Sequence, residues 1–318
     1  MEKLSFEMKQ FLSFSGIDVV SLVKEALFLK KNPYLFKHVG MNKTIGFVFF
    51  NASLRTRLSS QKAALYLGCH SWILNIDKDS WKIEMSDGVV MKKTQEHIKE
   101  AIGVMSLYCD ILAVRIFPTL KDRKYDFHES LLKQIQYYSN IPVVSLESST
   151  LHPLQSLADA MTIEEFKPKK GRVKVVISWA PHPISLPQSV PNSFAQCISK
   201  LEYTDLVITH PKGYELDDNF INGAHIFYNQ NEAFKEADFI YAKNWSSSKQ
   251  YGEILSMEPR WMISTEKIYN HAQFMHCLPI RRNLIVEDTI LDASLVLHEA
   301  ENRIFSSQAV YKTLLKNL

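Results

Sequence analysis

The string Ser53-Leu54-Arg55-Thr56-Arg57 stands directly between an apolar run, Ile45–Phe50, and a helix-patterned stretch, Leu58–Leu67. A strand, a polar turn and a helix start aim backbone N–H groups and the positive helix end at one point, and two guanidiniums add fixed charge there. That order of residues makes an anion cradle. A basic helix start is also a common surface feature, so the string takes its weight from two later segments, His152-Pro153-Leu154-Gln155 with Leu157-Ala158-Asp159, and His276-Cys277-Leu278-Pro279. Arg115 closes the apolar run Ile111–Val114, and Glu147 follows Val143–Leu146. In open parallel sheets ligands bind outside the carboxyl ends of the strands, so groups in these positions can converge. His152 and Gln155 are three apart and share a side of a first helical turn, with Asp159 four beyond, which suits a small planar amide or carboxyl group.

Each residue also has a plainer reading. His152 before a proline can cap a helix start, Arg115 can be half of a buried ion pair, and Asp159 can be structural, holding a motif residue or the backbone. Cys277 reads more readily as a small core hydrophobe than as a nucleophile. Trp81, amid Ser80 and Lys82, covers a local cluster or makes a subunit contact. The eleven histidines show no His-Glu-x-x-His or similar spacing, so a metal cofactor is not expected.

The elements that must carry these groups are short apolar runs alternating with helical patterns. The runs are Ile45–Phe50, Ser71–Asn75, Ile111–Arg115, Val143–Leu146, Val173–Ser178, Leu206–Thr209, Phe239–Ala242 and Phe274–His276. Successive βα units of this kind predict an α/β protein with mostly parallel sheets. A chain of 318 residues exceeds what one core usually serves. The helix-patterned Leu157–Phe166 and the charged turn Lys167–Arg172 mark a junction, giving a first domain over 1–155 and a second over 156–298. The final segment, 299–318, carries apolar residues at helical spacing and is expected to pack back on the first domain. Asp79–Thr94 is a long polar stretch of the kind that is functional or mobile.

The bulk properties exclude several classes. A formal net charge of only +3, with the basic residues dispersed, argues against nucleic acid as the main partner and leaves small anions open. Four widely spaced cysteines without a paired motif read as reduced thiols of a cytoplasmic protein. The opening Met-Glu-Lys-Leu-Ser-Phe-Glu lacks a basic start followed by an apolar stretch, and no run approaches the ~20 apolar residues of a membrane span. Export and membrane insertion are not expected. With ten glycines and no Gly-x-Gly-x-x-Gly after any strand-like run, a nicotinamide enzyme is not favoured either.

Taken together, Ser53–Arg57, Arg115-Ile-Phe117, His152–Gln155 with Leu157–Asp159, His276–Pro279 and Glu301-Asn302-Arg303 resemble, in order and across nearly the whole chain, the motifs of the aspartate and ornithine carbamoyltransferases. The resemblance implies carbamoyl phosphate bound by the first domain, an amine acceptor bound largely by the second, and a homotrimer with shared active sites. It implies that Ser53, Leu54, Arg55, Thr56 and Arg57 grip the phosphate. Arg115, His152 and Thr56 polarise the carbamoyl carbonyl, Gln155 and the backbone around Cys277 and Leu278 hold the carbamoyl nitrogen, and Arg303 closes the set. No protein nucleophile is needed.

The acceptor can be read further. Where ornithine carbamoyltransferases carry an Asp that pairs with the free α-ammonium of ornithine, this chain has Lys243. A lysine would repel that ammonium, whereas an N-acylated nitrogen is neutral and leaves only carboxylate to be paired. The plainer reading of Lys243 is a solvated strand-end lysine. Trp179-Ala180-Pro181-His182, the Trp81 loop, Lys243 and Arg281 resemble the N-acetyl- and N-succinylornithine carbamoyltransferases. That resemblance implies acceptor contacts from Glu147, His182, Lys243 and Arg281, with Trp81 reaching in from a neighbouring subunit. At the position that aligns with Gln95, or with the neighbouring Glu96, the resemblance implies a Glu in the acetyl enzymes and a Pro in the succinyl enzymes. Gln95 is neither but carries no charge to repel a second carboxylate, and the loop Glu84–Val90 is nearer the succinyl enzymes, so N-succinylornithine is the favoured acceptor and N-acetylornithine the alternative. Ile184 and Ser185 depart from the basic residue and proline usual after the His-Pro pair, which keeps a non-catalytic binding protein as a further alternative.

Overall fold

The computed structural model describes residues 8–76, 78–169, 171–269 and 271–318. The opening heptapeptide and Lys170 of the junction turn lie outside the described residues. By mutual contacts the chain divides into two compact units. The first runs to Pro118, resumes over Lys124–Leu154 and ends with Arg303–Leu318; the second comprises Thr119–Arg123 and Gln155–Asn302.

In the first unit the strands are β1 (Thr44–Phe49), β2 (His70–Asn75), β3 (Ile83–Glu84), β4 (Glu96–His97), β5 (Ile111–Arg115) and β6 (Val143–Glu147). The main sheet has the order β2-β1-β5-β6, with every pairing parallel, and β3 and β4 form a separate parallel ribbon. In β1, β5 and β6 nearly every residue is buried, which is why they read as unbroken apolar runs: both faces of a parallel sheet are covered. Gly46 permits a close approach, since a Cβ there would lie 2.3 Å from the Trp72 ring on β2. The helix Arg55–Leu67 ends where Gly68 takes a left-handed conformation at φ +80°, the usual stop for a helix.

The second unit holds β7 (Val173–Trp179), β8 (Thr204–Thr209), β9 (His225–Phe227), β10 (Phe239–Lys243) and β11 (Gln273–Met275), in the all-parallel order β11-β10-β7-β8-β9. Two parallel sheets in an α/β chain are what the alternating runs predicted. Three strands have no apolar run to announce them: β9 is a three-residue edge strand that stays mostly exposed, and β3 and β4 are two residues each.

The strand orders also say where ligands belong. In the first sheet the order reverses between β1 and β5, and in the second between β7 and β10. At such switch points the connections leave in opposite directions and open a crevice at the carboxyl ends. The residues emerging there are Ser53–Arg57 and Arg115 in one unit, and Ala180–His182 and Lys243 in the other.

Candidate functional site

Beyond β1 the chain turns into the Arg55–Leu67 helix, and the Ser53 hydroxyl accepts the Thr56 N–H at 3.3 Å, satisfying one of the unpaired donors of the first turn. No acidic residue lies in that turn, so its positive end is left for an outside anion. Thr56 is buried, and its Oγ1 accepts from Arg303 Nη2 at 2.6 Å and from Arg115 Nη1 at 3.4 Å. A hydroxyl has two acceptor lone pairs and one hydrogen. With both lone pairs facing guanidiniums, the Thr56 hydrogen points elsewhere and can serve only an acceptor.

Arg115 also makes a close ion pair with Glu147, whose Oε2 lies 3.5 Å from His152 Nε2; all three side chains are more than nine-tenths buried. The ion-pair reading of Arg115 is therefore realised. Glu147, expected among the acceptor residues, sits in the first unit between Arg115 and His152. The Arg115 guanidinium stacks 4.4 Å from the Phe117 ring centroid, which helps to fix its plane. Arg57 is exposed and lines a surface hollow with Ala52, Ser53, Leu54, Asn75 and Lys78. Arg55 is half-buried, and Leu54 turns its side chain outward at 69% exposure.

A residue with no sequence signal supports this cluster. Glu129 adopts φ +54°, in the left-handed region, and its carboxylate accepts from Ser148 Oγ (2.6 Å), Thr150 N (2.7 Å), Thr150 Oγ1 (2.5 Å) and Ser149 N (3.3 Å). Strain at a non-glycine residue persists only where surrounding bonds over-determine it. Here those bonds hold the loop leading from Glu147 to His152.

In the second unit His182, Lys243 and Arg281 come together. Arg281 Nε donates to His182 Nε2 at 3.2 Å, and His182 Nδ1 lies 2.8 Å from the Ile184 carbonyl and 3.1 Å from the Ile184 N. Burial first, then the charges of Lys243 and Arg281, lowers the His182 pKa below the ordinary histidine value and keeps the ring neutral. Lys243 closes β10 with a side chain only 8% exposed, and its ammonium makes no ion pair or hydrogen bond among the described residues. The stem of Lys243 is thus buried, and its charge stands beside His182. The solvated-lysine reading fails on this burial.

Pro153 opens the Pro153–Phe166 helix, a favoured place for proline. Gln155 and Asp159 on that helix are fully buried, with Gln155 Nε2 donating to Asp159 Oδ1 at 2.8 Å. The His276–Pro279 turn is held by His276 N donating to Glu299 Oε2 (2.9 Å) and Leu278 N donating to His276 Nδ1 (2.8 Å), with Leu278 at φ +58°. Cys277 is buried beneath it. Trp81 is 56% exposed, and its indole N–H donates to Glu96 Oε2 at 2.8 Å across the β3–β4 ribbon.

Two family models cover most of the chain: the carbamoyl-P binding domain of aspartate/ornithine carbamoyltransferase over residues 8–165, and its Asp/Orn binding domain over residues 187–314. The chain belongs to the aspartate/ornithine carbamoyltransferase family. It is 48% identical to the N-succinylornithine carbamoyltransferase of Bacteroides fragilis (strain 638R), covering 98% of this chain and 100% of that one. It is 34% identical to the N-acetylornithine carbamoyltransferase of Xylella fastidiosa (strain Temecula1), covering 86% and 88%. A solved mutant of N-acetyl-L-ornithine transcarbamylase, complexed with carbamyl phosphate and N-succinyl-L-norvaline, is 31% identical and superposes with a TM-score of 0.89 over 96% of this chain and 100% of that chain. Within this carbamoyltransferase the Thr56–Arg115–Arg303 group lies in the part matched by the carbamoyl-P model or in the C-terminal segment of its unit, and Lys243 and Arg281 in the part matched by the acceptor model.

Proposed function

We propose that this carbamoyltransferase moves the carbamoyl group of carbamoyl phosphate to the side-chain amine of an N-acylated ornithine, with N-succinyl-L-ornithine preferred, yielding N-acylcitrulline and phosphate for arginine synthesis. The observation that carries this reading is Lys243: a lysine with a buried stem and no acid paired with its ammonium among the described residues repels a free α-ammonium and attracts carboxylate. An N-succinyl acceptor brings two carboxylates to Lys243 and Arg281, and the greater identity to N-succinylornithine carbamoyltransferase than to the N-acetyl enzyme supports succinyl over acetyl.

In this mechanism Ser53, Arg55, Thr56 and Arg57 hold the phosphate with the helix start. The neutral amine attacks the carbamoyl carbon, negative charge grows on the carbonyl oxygen, and Thr56, Arg115 and His152 donate to it; each such donor contributes roughly 2.7–4 kcal/mol to lowering the barrier. Gln155 and the backbone of Cys277 and Leu278 orient the carbamoyl nitrogen, and Arg303 holds Thr56. Phosphate leaves and takes the amine proton, so no residue need act as nucleophile. Glu147, between Arg115 and His152, holds those donors and offers its charge to the incoming amine. Trp81 on its exposed loop serves the acceptor site of a neighbouring copy in a homotrimer. The free thiols Cys69, Cys109, Cys197 and Cys277 suit a cytoplasmic location; no helix among the described residues is long and apolar enough to cross a membrane.

A panel of ornithine, N-acetylornithine and N-succinylornithine with carbamoyl phosphate, read by mass spectrometry of the product, tests the reading. N-succinylcitrulline should dominate from the mixture. Equal or faster turnover of plain ornithine would defeat the argument from Lys243, and acceptor binding without product would make the chain a binding protein.

A further inference from the structure

We infer that Glu129 is a positioning residue for carbamoyl transfer: its carboxylate fills an anion nest in the loop between Glu147 and His152, and so sets where those two side chains stand beside Arg115. The inference deepens the proposed carbamoyl transfer and rests on it.

The loop is short and polar. β6 ends at Glu147, Pro153 opens the next helix, and only Ser148–Leu151 separate the glutamate from His152. The chain reverses there: Ser148 N donates to the Leu151 carbonyl at 2.7 Å, and Leu151 N donates to Ser148 Oγ at 3.1 Å. That reversal turns the N–H groups of Ser149 and Thr150 toward one spot, and successive N–H groups in a turn form a concavity for an anion. The Glu129 carboxylate lies in it. Its Oε1 takes three donors, Ser148 Oγ, Thr150 N and Thr150 Oγ1, between 2.5 and 2.7 Å, and its Oε2 takes Ser149 N at 3.3 Å. Hydrogen bonds to an ionised acceptor are roughly twice as strong as neutral ones, and four converge on this side chain.

The backbone of Glu129 is fixed from both sides. Its N donates to the Asp126 carbonyl at 3.0 Å, and its carbonyl accepts from Lys133 N at 2.9 Å at the start of the Ser130–Tyr138 helix. At φ +54° and ψ +40° it occupies the left-handed region, which disfavours a glutamate and which glycine would adopt freely. Glycine lacks only the carboxylate, so the side chain is what this position requires. The two ends of the clamped loop are groups that the proposed mechanism uses: Glu147 pairs with Arg115, and its Oε2 lies 3.5 Å from His152 Nε2. A displacement of about 1 Å in a reacting constellation can cost about 10²-fold in rate. Glu129 acts on that constellation through the loop.

The test compares Glu129→Gly, Glu129→Ala and Glu129→Gln in the full chain, assayed with carbamoyl phosphate and the ornithine that the wild type carbamoylates fastest. Glycine accepts the left-handed backbone and alanine does not, so Glu129→Ala should unfold at a lower temperature than Glu129→Gly. Both should nevertheless lose kcat alike, roughly 10- to 100-fold. Glu129→Gln, whose amide oxygen still takes the three Oε1 donors, should fall between them and the wild type. Added formate, a free carboxylate small enough to enter the emptied nest, should restore the kcat of Glu129→Gly saturably, whereas chloride at the same ionic strength should not, and neither should raise the wild type. A wild-type kcat in Glu129→Gly, activity that declines in step with thermal stability, a folded but impaired Glu129→Gly that ignores formate, or failure of all three variants to fold overturns the inference alone. A wild type that transfers no carbamoyl group to any ornithine overturns the proposed function and the positioning role with it.

Discussion

The two crevices at the switch points handle charge in opposite ways. In the first unit Arg115 is matched by Glu147, with His152 beside it, and Thr56 takes donors from Arg115 and Arg303. In the second, Arg281 leans on a neutral His182, and Lys243 stays buried without an acid. The first arrangement is closed on itself, so its donors are preorganised before any ligand arrives. The second holds a positive charge with no acid paired to it among the described residues, which on the proposed reading makes it the place where selectivity is decided. Catalytic power and acceptor choice should therefore separate under mutation.

The largest effect should come from Arg115→Ala, which takes the paired guanidinium away from Glu147. Breaking one side of a buried ion pair typically costs about 3–5 kcal/mol, so urea unfolding should show a loss of that order, and transfer activity should fall with every acceptor alike. Unchanged stability would show that the pair is not an internal brace. Lys243→Met should do the reverse: stability is kept, because methionine fills the space of the buried stem and no ion pair among the described residues is broken, while KM for N-succinylornithine rises about 10- to 100-fold, corresponding to roughly 1.4–2.8 kcal/mol of lost binding. Lys243→Asp should also shift preference toward plain ornithine, and an unaltered acceptor ranking would blur the contrast between the two crevices.

His182 sharpens the comparison through pH. Its pKa is lowered in the folded protein, so the neutral ring and its contact with Arg281 are present above the ordinary histidine value and are lost as pH falls through the lower, folded one. Acceptor KM should hence hold steady through neutrality and rise only on the acid side of pH ~6.5, the unperturbed histidine value. A His182→Asn variant should lack that limb, while carbamoyl phosphate binding in the wild type should be insensitive to it. The smallest effect belongs to Ser53→Ala: losing the hydroxyl that accepts the Thr56 N–H should cost about 0.5–2 kcal/mol in thermal unfolding. A null result would mean that Ser53 matters to the ligand alone.

The main strands were readable because both faces of each sheet are covered, so β1, β5 and β10 appear as unbroken apolar runs. The polar residues at the ends of those runs were readable for the same reason: a polar group at the end of a buried strand has few places to go. The ribbon of β3 and β4 was not, since two-residue strands leave no period to detect. Nor was the partnership of Glu147 with Arg115, because strand spacing gives the position of a carboxylate and not its direction. Glu129 and Glu299 were invisible as contributors. One acts through an unusual backbone conformation and the other by being buried on a helix whose polar residues look solvent-facing in sequence. The Pro153–Phe166 helix offered one unused clue: Gln155, Ser156, Asp159 and Thr162 sit among apolar neighbours on several sides, and polar groups buried that way must be bonded to something.

The Thr56 hydroxyl carries a consequence for discrimination. With two guanidiniums occupying its oxygen, it behaves as a one-way contact: it can greet an oxyanion but has nothing to offer an ammonium, a potassium ion or the hydrogen of a neutral alcohol. An amine that strayed toward the phosphate end of the cradle would find positive charge and a misdirected proton there. On the proposed mechanism, the same atom that would steady the leaving group would also keep the nucleophile from settling in the wrong end of the cradle.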